Sequence, residues 1–291
     1  MAQVTGEIAS QPECWARAAD LASRATEALP ARGERVAVLG CGTSWFMAQA
    51  YAALREAAGQ GETDAFAASE FPSGRRYDRV LVITRSGTTT EVLDVLAATD
   101  ARTSAVVGDP DSPAAIRADD AVLLPFADEK SVVQTRFATS ALVLLRAHLG
   151  EELDTATADA VEAVAAPLPL APGAVEQVSF LGLGWTVGLA HEAALKCREA
   201  ANLWCESYPA MEYRHGPVAI AAAGRAVWAF GEVPDGLAEQ VAETGATFVH
   251  NGHRDPLAEL VLAQRFAVDV ATGRGLDPDR PRHLTRSVIL S

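Results

Sequence analysis

Short runs of β-branched and other apolar residues alternate with longer amphipathic segments along the first half of the chain. The short runs predict strands at Arg35–Gly40, Asp64–Ala68, Arg79–Thr84, Ser104–Val107 and Ala121–Pro125. The longer segments predict helices over Ser44–Ala58, Thr89–Ala98 and Thr135–Leu149. Strands that alternate with helices form βαβ units, so this pattern predicts a parallel sheet with helices on both faces.

The pattern that opens the first half occurs a second time about 142 residues later. The segment VAVLGCGTSWFMAQAYAALRE at 36–56 is matched by VSFLGLGWTVGLAHEAALKCRE at 178–199, and each consists of an apolar run, a glycine turn and a helical pattern. A repeat at this spacing predicts two copies of one α/β domain. We expect the first domain over residues 1–166 and the second over residues 167–291.

The junction and the second copy have patterns of their own. An alanine-rich helix is predicted over Glu151–Ala165, and the proline-rich segment LPLAPGA follows at 168–174. The second copy is expected to be shortened, with strands near Ala226–Phe230 and Thr247–His250 and a long helix over Leu257–Thr272. The expected fold class is therefore α/β, with two parallel sheets flanked by helices.

Composition and charge limit the class of protein. The 291 residues are 49% hydrophobic and 21% charged, with a net charge of −14, which is typical of a soluble globular protein. No apolar run reaches the roughly 20 residues of a membrane span, and MAQVTGEIASQPECW lacks the features of a signal peptide. We therefore expect a cytoplasmic protein with no membrane partner. The negative charge argues against a nucleic acid partner, since nucleic acid selects basic surfaces.

The four cysteines are scattered singly, at Cys14, Cys41, Cys197 and Cys205. Without a CxxC pair, they indicate neither a zinc site nor a disulfide framework. We expect buried thiols and no metal ion.

Glycine turns with clustered hydroxyl groups follow two of the predicted strands. Gly40-Cys41-Gly42 leads into Thr43 and Ser44 at the start of a helix. The second turn, TRSGTTTE at 84–91, places five hydroxyl residues around Gly87, namely Thr84, Ser86, Thr88, Thr89 and Thr90. Parallel strands bring both turns to one edge of the sheet, where they can surround a single phosphate from two sides. Ordinary N-capping by Ser and Thr would explain one such turn alone.

The first turn also bears on which phosphate is bound. The run GCGTSW lacks the third glycine of the dinucleotide fingerprint G-x-G-x-x-G. A dinucleotide turn needs bare backbone for close approach, whereas hydroxyls and amides together saturate a compact phosphate monoester. We therefore expect a phosphate monoester ligand and no cofactor, nicotinamide nucleotides included.

Several motifs resemble those of the sugar isomerase (SIS) domains, and most nearly the double-SIS isomerase half of glucosamine-6-phosphate synthase. The first are GCGTS at 40–44, ASEF at 68–71 and TRSGTTTE at 84–91. The others are EIASQP at 7–12, EKSVVQTRFATS at 129–140, EAALKCREAANLWCESYPAMEYRHGP at 192–217 and DPDRPRHLTRSV at 277–288. The resemblance implies two tandem flavodoxin-like SIS domains and a sugar 6-phosphate ligand. By position it implies that the phosphate is held by Gly42, Thr43, Ser44, Thr84, Arg85, Ser86 and Thr89, with Val132 and Gln134 nearby.

Charged residues form a stripe on a helix of the second domain. Glu192, Lys196 and Glu199 are spaced i, i+4 and i+7 among small apolar residues. A stripe of this kind is usually a solvated surface with an ion pair. Two features favour a functional site instead: Lys196 is one of only two lysines in the chain, and its neighbours are typical of a buried helix. The resemblance implies that Glu199 is the proton-shuttling glutamate and Lys196 its neighbouring lysine.

The reaction that this resemblance implies needs such groups. Interconversion of an aldose and a ketose moves one proton between C1 and C2, which a carboxylate can carry while an ammonium group stabilises the developing oxyanion. Opening the sugar ring needs a second acid or base, and His215 in MEYRHGP at 211–217 matches the ring-opening histidine of the family. Because that histidine comes from the neighbouring subunit in the family, the resemblance implies a homodimer.

The chain also departs from the family at three points. Arg286 stands where the family has an imine-forming lysine, and arginine does not form imines, so we expect Arg286 to bind substrate without a covalent bond. Arg85 replaces an uncharged glutamine, and we expect its guanidinium to strengthen phosphate binding. No stretch of the 291 residues matches the glutaminase domain that precedes the isomerase half, so we do not expect this chain to release ammonia from glutamine.

Together these observations predict a phosphosugar isomerase that acts on a hexose or hexosamine 6-phosphate, as a ketose–aldose isomerase or as a deaminating isomerase. Deamination and deglycation of sugar amines are the nearest variants. The alternative is a phosphosugar-binding or regulatory SIS protein without catalysis. Such regulators usually carry a DNA-binding helix-turn-helix, and the absence of a basic segment of that kind, together with the presence of Glu199 and His215, favours the enzyme.

Overall fold

The computed structural model describes residues 2–290 and contains two parallel sheets. The first sheet has five strands, β1 (Val36–Gly40), β2 (Thr63–Ala67), β3 (Arg79–Thr84), β4 (Arg102–Val107) and β5 (Asp120–Leu123). Their order is β2-β1-β3-β4-β5, and every neighbouring pair is parallel. Each residue of β1 and β3 is buried, which explains the continuous apolar runs that predicted these strands.

The second sheet has four parallel strands in the order β7-β6-β8-β9. These are β6 (Gln177–Gly182), β7 (Trp204–Pro209), β8 (Arg225–Phe230) and β9 (Thr247–His250). The order repeats that of the first sheet up to its fourth strand and lacks a counterpart of β5. Among the described residues, the second sheet therefore has one strand fewer than the first.

Helices follow the strands in both sheets. Those of the first half are α1 (Gln3–Ala9), α2 (Gln11–Ala22), α3 (Thr43–Ala57), α4 (Thr90–Ala98), α5 (Pro113–Arg117) and α6 (Arg136–His148). Those of the second half are α7 (Asp154–Ala165), α8 (Thr186–Ala201), α9 (Ala210–Tyr213), α10 (Leu237–Glu243) and α11 (Pro256–Gly273). The expected α/β class, with two parallel sheets flanked by helices, is confirmed.

The repeated glycine turn has the same backbone reason in both copies. A Cβ atom on Gly40 would lie 2.5 Å from the backbone of Ser44, and one on Gly182 would lie 2.3 Å from the backbone of Thr186. The second glycine of each turn has a positive φ, 54° at Gly42 and 58° at Gly184, which favours glycine. The repeat in the sequence therefore reflects one strand-to-helix turn built twice.

Contacts between residues divide the described chain into two compact units, which differ from a cut at residue 166. The first-sheet unit comprises residues 10–130, 134–154 and 285–290. The second-sheet unit comprises residues 2–9, 131–133 and 155–284. Helix α1 belongs to the second-sheet unit because it packs on α11. The boundary expected between residues 166 and 167 stays a prediction.

Three of the four cysteines are buried, as expected for all four. Cys14, Cys197 and Cys205 are buried, Cys41 is half-buried, and all four are free thiols. Among residues 2–290, no helix is both long enough and apolar enough to cross a membrane.

Candidate functional site

A small pocket lies at the carboxyl ends of the neighbouring strands β1 and β3. In a sheet of this order, β1 and β3 flank the point where the strand order reverses, which is where ligands bind in doubly wound folds. Seven of the residues expected to bind substrate line this pocket, namely Ser44, Thr84, Arg85, Ser86, Thr89, Gln134 and Arg286. Cys41, Ile83 and Val92 complete the lining.

Three of the expected substrate residues do not line this pocket. Gly42 shapes the turn before α3, and Thr43 is the buried first residue of that helix. Val132 is half-buried in the short segment 131–133, which belongs to the second-sheet unit.

The turn after β3 is stabilised by its own hydrogen bonds. Gly87 N donates to Thr84 Oγ1 at 3.2 Å, and Thr88 N donates to Ser86 Oγ at 3.3 Å. Because each hydroxyl accepts a hydrogen bond from the backbone, each keeps its own O–H to donate to a ligand. Gly87 is required here, since it has a φ of 62° and a Cβ would lie 2.0 Å from Ser112 Oγ.

Helix capping does not account for the hydroxyl groups at this edge. Thr89 is the N-cap residue of α4, but its side chain makes no capping hydrogen bond. The N-cap residue of α3 is Gly42, which has no side chain to offer. The pocket therefore combines two helix N-termini with hydroxyl groups that are not spent on capping.

Arg85 is tied to a buried carboxylate that sequence reasoning missed. Its guanidinium Nη1 lies 3.9 Å from Glu129 Oε2, with both side chains almost fully buried, and its Nη2 donates to the carbonyl of Arg286 at 3.0 Å. Glu129 Oε1 also accepts from Thr135 N at 2.6 Å and from Arg136 N at 2.9 Å at the start of α6. Arg85 thus offsets the Glu129 charge inside the fold, and its expected strengthening of phosphate binding stays a prediction.

Arg286 is also paired with an acidic residue. Its Nη2 lies 2.6 Å from Asp128 Oδ1, and its Nη1 donates to the carbonyl of Glu129. Beside it, Val288 accepts a hydrogen bond from Thr90 N at 3.2 Å, so the tail lies against the start of α4. At this position the chain presents a guanidinium held by hydrogen bonds.

The Cys41 thiol adds no negative charge to the pocket. Burial, and then the charge of Glu91, raise the pKa of Cys41 to about 11. The thiol is therefore neutral at pH 7 and does not repel an anion.

The charged stripe of α8 is buried, as the small flanking residues indicated. Lys196 Nζ lies 2.5 Å from Glu199 Oε2 and 3.6 Å from Glu192 Oε1. The side chains of Glu192 and Lys196 are 0% and 1% exposed, whereas that of Glu199 is 20% exposed. Glu199 is therefore the carboxylate of this cluster that a ligand can reach. The solvated-surface interpretation of the stripe is wrong.

The structure does not bring His215 and Glu199 of one chain together. Glu199 lies in the last turn of α8, just before β7 begins at Trp204. His215 is exposed and follows the other end of β7, after the short helix α9. A six-residue strand spans roughly 20 Å, so the two residues flank opposite ends of β7.

Comparisons with known proteins agree with the motifs. Glutamine–fructose-6-phosphate aminotransferase (isomerizing) of Gloeobacter violaceus is 26% identical over 314 residues, which cover 88% of this chain and 52% of that protein. The enzyme of the same name from Methanothermobacter thermautotrophicus is 28% identical over 307 residues, covering 88% and 51%. The chain spans about half the length of the curated relatives it matches. No family model matches the chain.

Solved structures of sugar phosphate enzymes resemble this chain over nearly its full length. Glucosamine-6-phosphate deaminase from Thermotoga maritima is 25% identical with a TM-score of 0.84, covering 99% of this chain and 100% of that one. The resemblance to sugar isomerase domains is confirmed. The SIS-like fold extends to tagatose-6-phosphate ketose/aldose isomerase from Escherichia coli, with a TM-score of 0.78 at 17% identity, covering 100% and 98%.

Sequence reasoning missed the acidic partners of the two arginines in this SIS-like chain. Glu129 is the first residue of EKSVVQTRFATS, a segment named in the sequence only for its resemblance to the family, and Asp128 directly precedes it. The sequence did contain a signal for Glu129. This residue lies six positions before Thr135, where a helix was predicted to begin, and the N-terminus of a helix stabilises a carboxylate. Among residues 2–290, no group of three or more His, Cys, Asp or Glu is arranged to hold a metal ion.

Proposed function

We propose that this chain is a phosphosugar isomerase that acts on a hexose or hexosamine 6-phosphate by proton transfer between C1 and C2. The observation that carries the proposal is the cluster on α8, where a buried ammonium group lies 2.5 Å from the one carboxylate of the cluster that reaches solvent. The confirmed resemblance to sugar isomerase domains supports it, and so does the Thermotoga maritima structure, whose protein is a glucosamine-6-phosphate deaminase.

The substrate's phosphate fits the pocket between β1 and β3. Thr84, Ser86 and Thr89 offer hydroxyl donors there, and the N-termini of α3 and α4 offer backbone amides. In this proposal, these groups together bind the compact phosphate, and other residues bind the sugar.

Glu199 carries the proton in this proposal. Its carboxylate removes a proton from C2 or C1 of the open-chain sugar and returns it to the other carbon through an enediol or enolamine. Lys196 stabilises the oxygen that becomes negative in between, while Glu192 balances the ammonium charge in the buried helix. For an amino sugar, the same shift turns the C2 amine into an imine, and water then hydrolyses the imine to a ketone and ammonia.

His215 opens the sugar ring in a homodimer, acting on the sugar bound to the partner subunit. Its exposed position beyond β7, away from Glu199 of its own chain, supports this arrangement. A histidine can serve this step because its imidazole ring can both donate and accept a proton.

The test is a solvent exchange experiment. The protein is incubated in D₂O with fructose 6-phosphate or glucosamine 6-phosphate, with and without ammonia, and NMR follows deuterium at C1 and C2 as well as product. We expect deuterium incorporation with at least one substrate, since the proton on Glu199 exchanges with solvent. Binding of these sugars without exchange or product would reject the proposal and favour the phosphosugar-binding alternative.

The phosphate pocket gives a second prediction. Replacing Ser86 and Thr89 by alanine is expected to weaken binding of a hexose 6-phosphate by about 1–3 kcal/mol, the value of hydrogen bonds to a charged group. Titration calorimetry measures the loss, and Ser23→Ala, which removes an exposed hydroxyl outside the pocket, is the matched control. An affinity equal to that of the Ser23→Ala control would show that the phosphate does not bind in this pocket.

A third prediction concerns nicotinamide nucleotides. The first turn lacks the third glycine, and its helix begins with Thr43 and Ser44, so a pyrophosphate cannot approach the backbone closely. We expect neither NAD nor NADP to bind in calorimetry, whereas a sugar 6-phosphate binds under the same conditions. Saturable binding of either nucleotide would contradict the choice of a monoester.

A further inference from the structure

The segment EIASQP at residues 7–12 has no role in the proposed reaction, yet all its polar side chains contact the segment EKSVVQTRFATS. The contacts join Glu7 to Ser131, Ser10 to Arg136, and Gln11 to Thr139. Arg136 Nη1 donates to Ser10 Oγ at 3.0 Å, and Thr139 Oγ1 donates to Gln11 Oε1 at 2.7 Å. The two motifs are therefore bound to each other residue by residue.

The contact between Glu7 and Ser131 is buried. The Glu7 side chain accepts a hydrogen bond from Ser131 N at 3.3 Å and another from Ser131 Oγ, and Glu7 and Ser131 are only 6% and 1% exposed. Ser131 Oγ also lies 2.9 Å from the carbonyl of Val133. A buried carboxyl group is costly unless it is hydrogen-bonded, so Glu7 holds residues 131–133 in one geometry.

A second contact holds the same three residues from the other side. Val132 N donates to the carbonyl of Asp279 at 3.1 Å. The Asp279 carboxylate in turn accepts from Gln3 N at 2.7 Å and from Val4 N at 2.8 Å, at the start of α1. Helix α1, residues 131–133 and Asp279 are therefore joined to one another by hydrogen bonds, and we call this group the N-terminal clasp.

We propose that Glu7 is a positioning residue for sugar phosphate binding, acting through the N-terminal clasp. The inference rests on the proposed function, whose phosphate pocket Gln134 lines. Gln134 directly follows residues 131–133, and the clasp fixes the backbone amide of Val132. A binding segment that is already ordered loses less conformational entropy when the ligand binds, so the clasp raises affinity without touching the sugar.

The experiment compares three variants in the full chain. Glu7→Ala removes both hydrogen bonds to Ser131, and Glu7→Gln keeps a side chain that can make both. Val241→Ala removes fully buried packing from α10, outside the N-terminal clasp. Calorimetry with fructose 6-phosphate measures affinity, and amide hydrogen exchange of residues 130–135 measures local order. Thermal unfolding shows whether the alanine variants lose comparable stability.

We expect Glu7→Ala to weaken binding about tenfold, which corresponds to the loss of one or two hydrogen bonds to a charged group, and to speed exchange at residues 130–135. Glu7→Gln restores both to within about twofold of the unmodified protein, and Val241→Ala changes neither at a comparable loss of stability. Unchanged exchange in Glu7→Ala, or faster exchange with unchanged affinity, overturns the positioning role. If the unmodified protein binds no sugar phosphate, the proposed function fails with the substrate part of this inference, and exchange alone decides whether Glu7 orders the segment.

Discussion

Replacing Glu199 by glutamine is expected to lower the turnover of a hexosamine or hexose 6-phosphate by about 10²–10⁴-fold, the usual contribution of a positioned acid or base. The amide has the size of the carboxylate but cannot accept and return a proton. Lys196 keeps Glu192 as a counter-charge at 3.6 Å, so the buried ammonium group is not left alone and the fold is retained.

Steady-state kinetics and NMR in D₂O check this expectation together. Substrate affinity should stay within a few-fold, because the proposed phosphate pocket is untouched, whereas deuterium incorporation at C1 and C2 should be lost with turnover. Glu212→Gln is the matched control, since Glu212 is an exposed carboxylate in the same half of the chain. Deuterium exchange at the original rate in Glu199→Gln would show that another group carries the proton.

Mixed dimers of Glu199→Gln and His215→Ala chains are expected to regain activity that neither mutant homodimer has. If His215 serves the sugar bound to the partner subunit, one of the two sites in a mixed dimer contains both original residues. Such a dimer should show up to about half the turnover of the unmodified protein, because the single restored site has the full acid and base set.

The mixed dimer is obtained by co-expressing two differently tagged chains and purifying on both tags in turn. Turnover no higher than in either mutant homodimer would reject the shared site and leave the role of Glu199 standing. An open-chain substrate analogue separates the two residues, since it needs no ring opening. It should be processed by His215→Ala and not by Glu199→Gln.

Burial of an element made its bounds easier to predict in two cases. Strand Arg79–Thr84, in which every residue is buried, has the predicted bounds, and the largely buried helix α11 begins one residue before its predicted start. Strand Thr247–His250 also has the predicted bounds, although only Val249 in it is buried. Strand β7 was not among the predicted strands, because it lies at the edge of its sheet and carries half-exposed polar residues such as Glu206 and Ser207. Helices α1 and α2 were also missed, since several of their buried positions are polar, Glu7 and Gln11 among them.

The candidate site was predictable where topology alone brings residues together. Parallel strands place their following turns at one edge, so Ser44 and Ser86 could be expected in one pocket. The ion pair between Arg85 and Glu129 could not be predicted from the sequence. Its two residues are 44 positions apart, and the paths of two loops decide whether they meet. The positive charge of Arg85, which was expected to strengthen phosphate binding, is balanced by Glu129 inside the fold.

The capping of α1 by Asp279 has a consequence for biosynthesis. Gln3 and Asp279 are 276 positions apart, so the ribosome makes the helix roughly 14–55 s before its cap at 5–20 residues per second. All five strands of the first sheet have been made by residue 123. The nascent chain can therefore complete its first sheet before Asp279 is made, whereas α1 waits for Asp279 and exposes Val4 and Ile8 in the meantime.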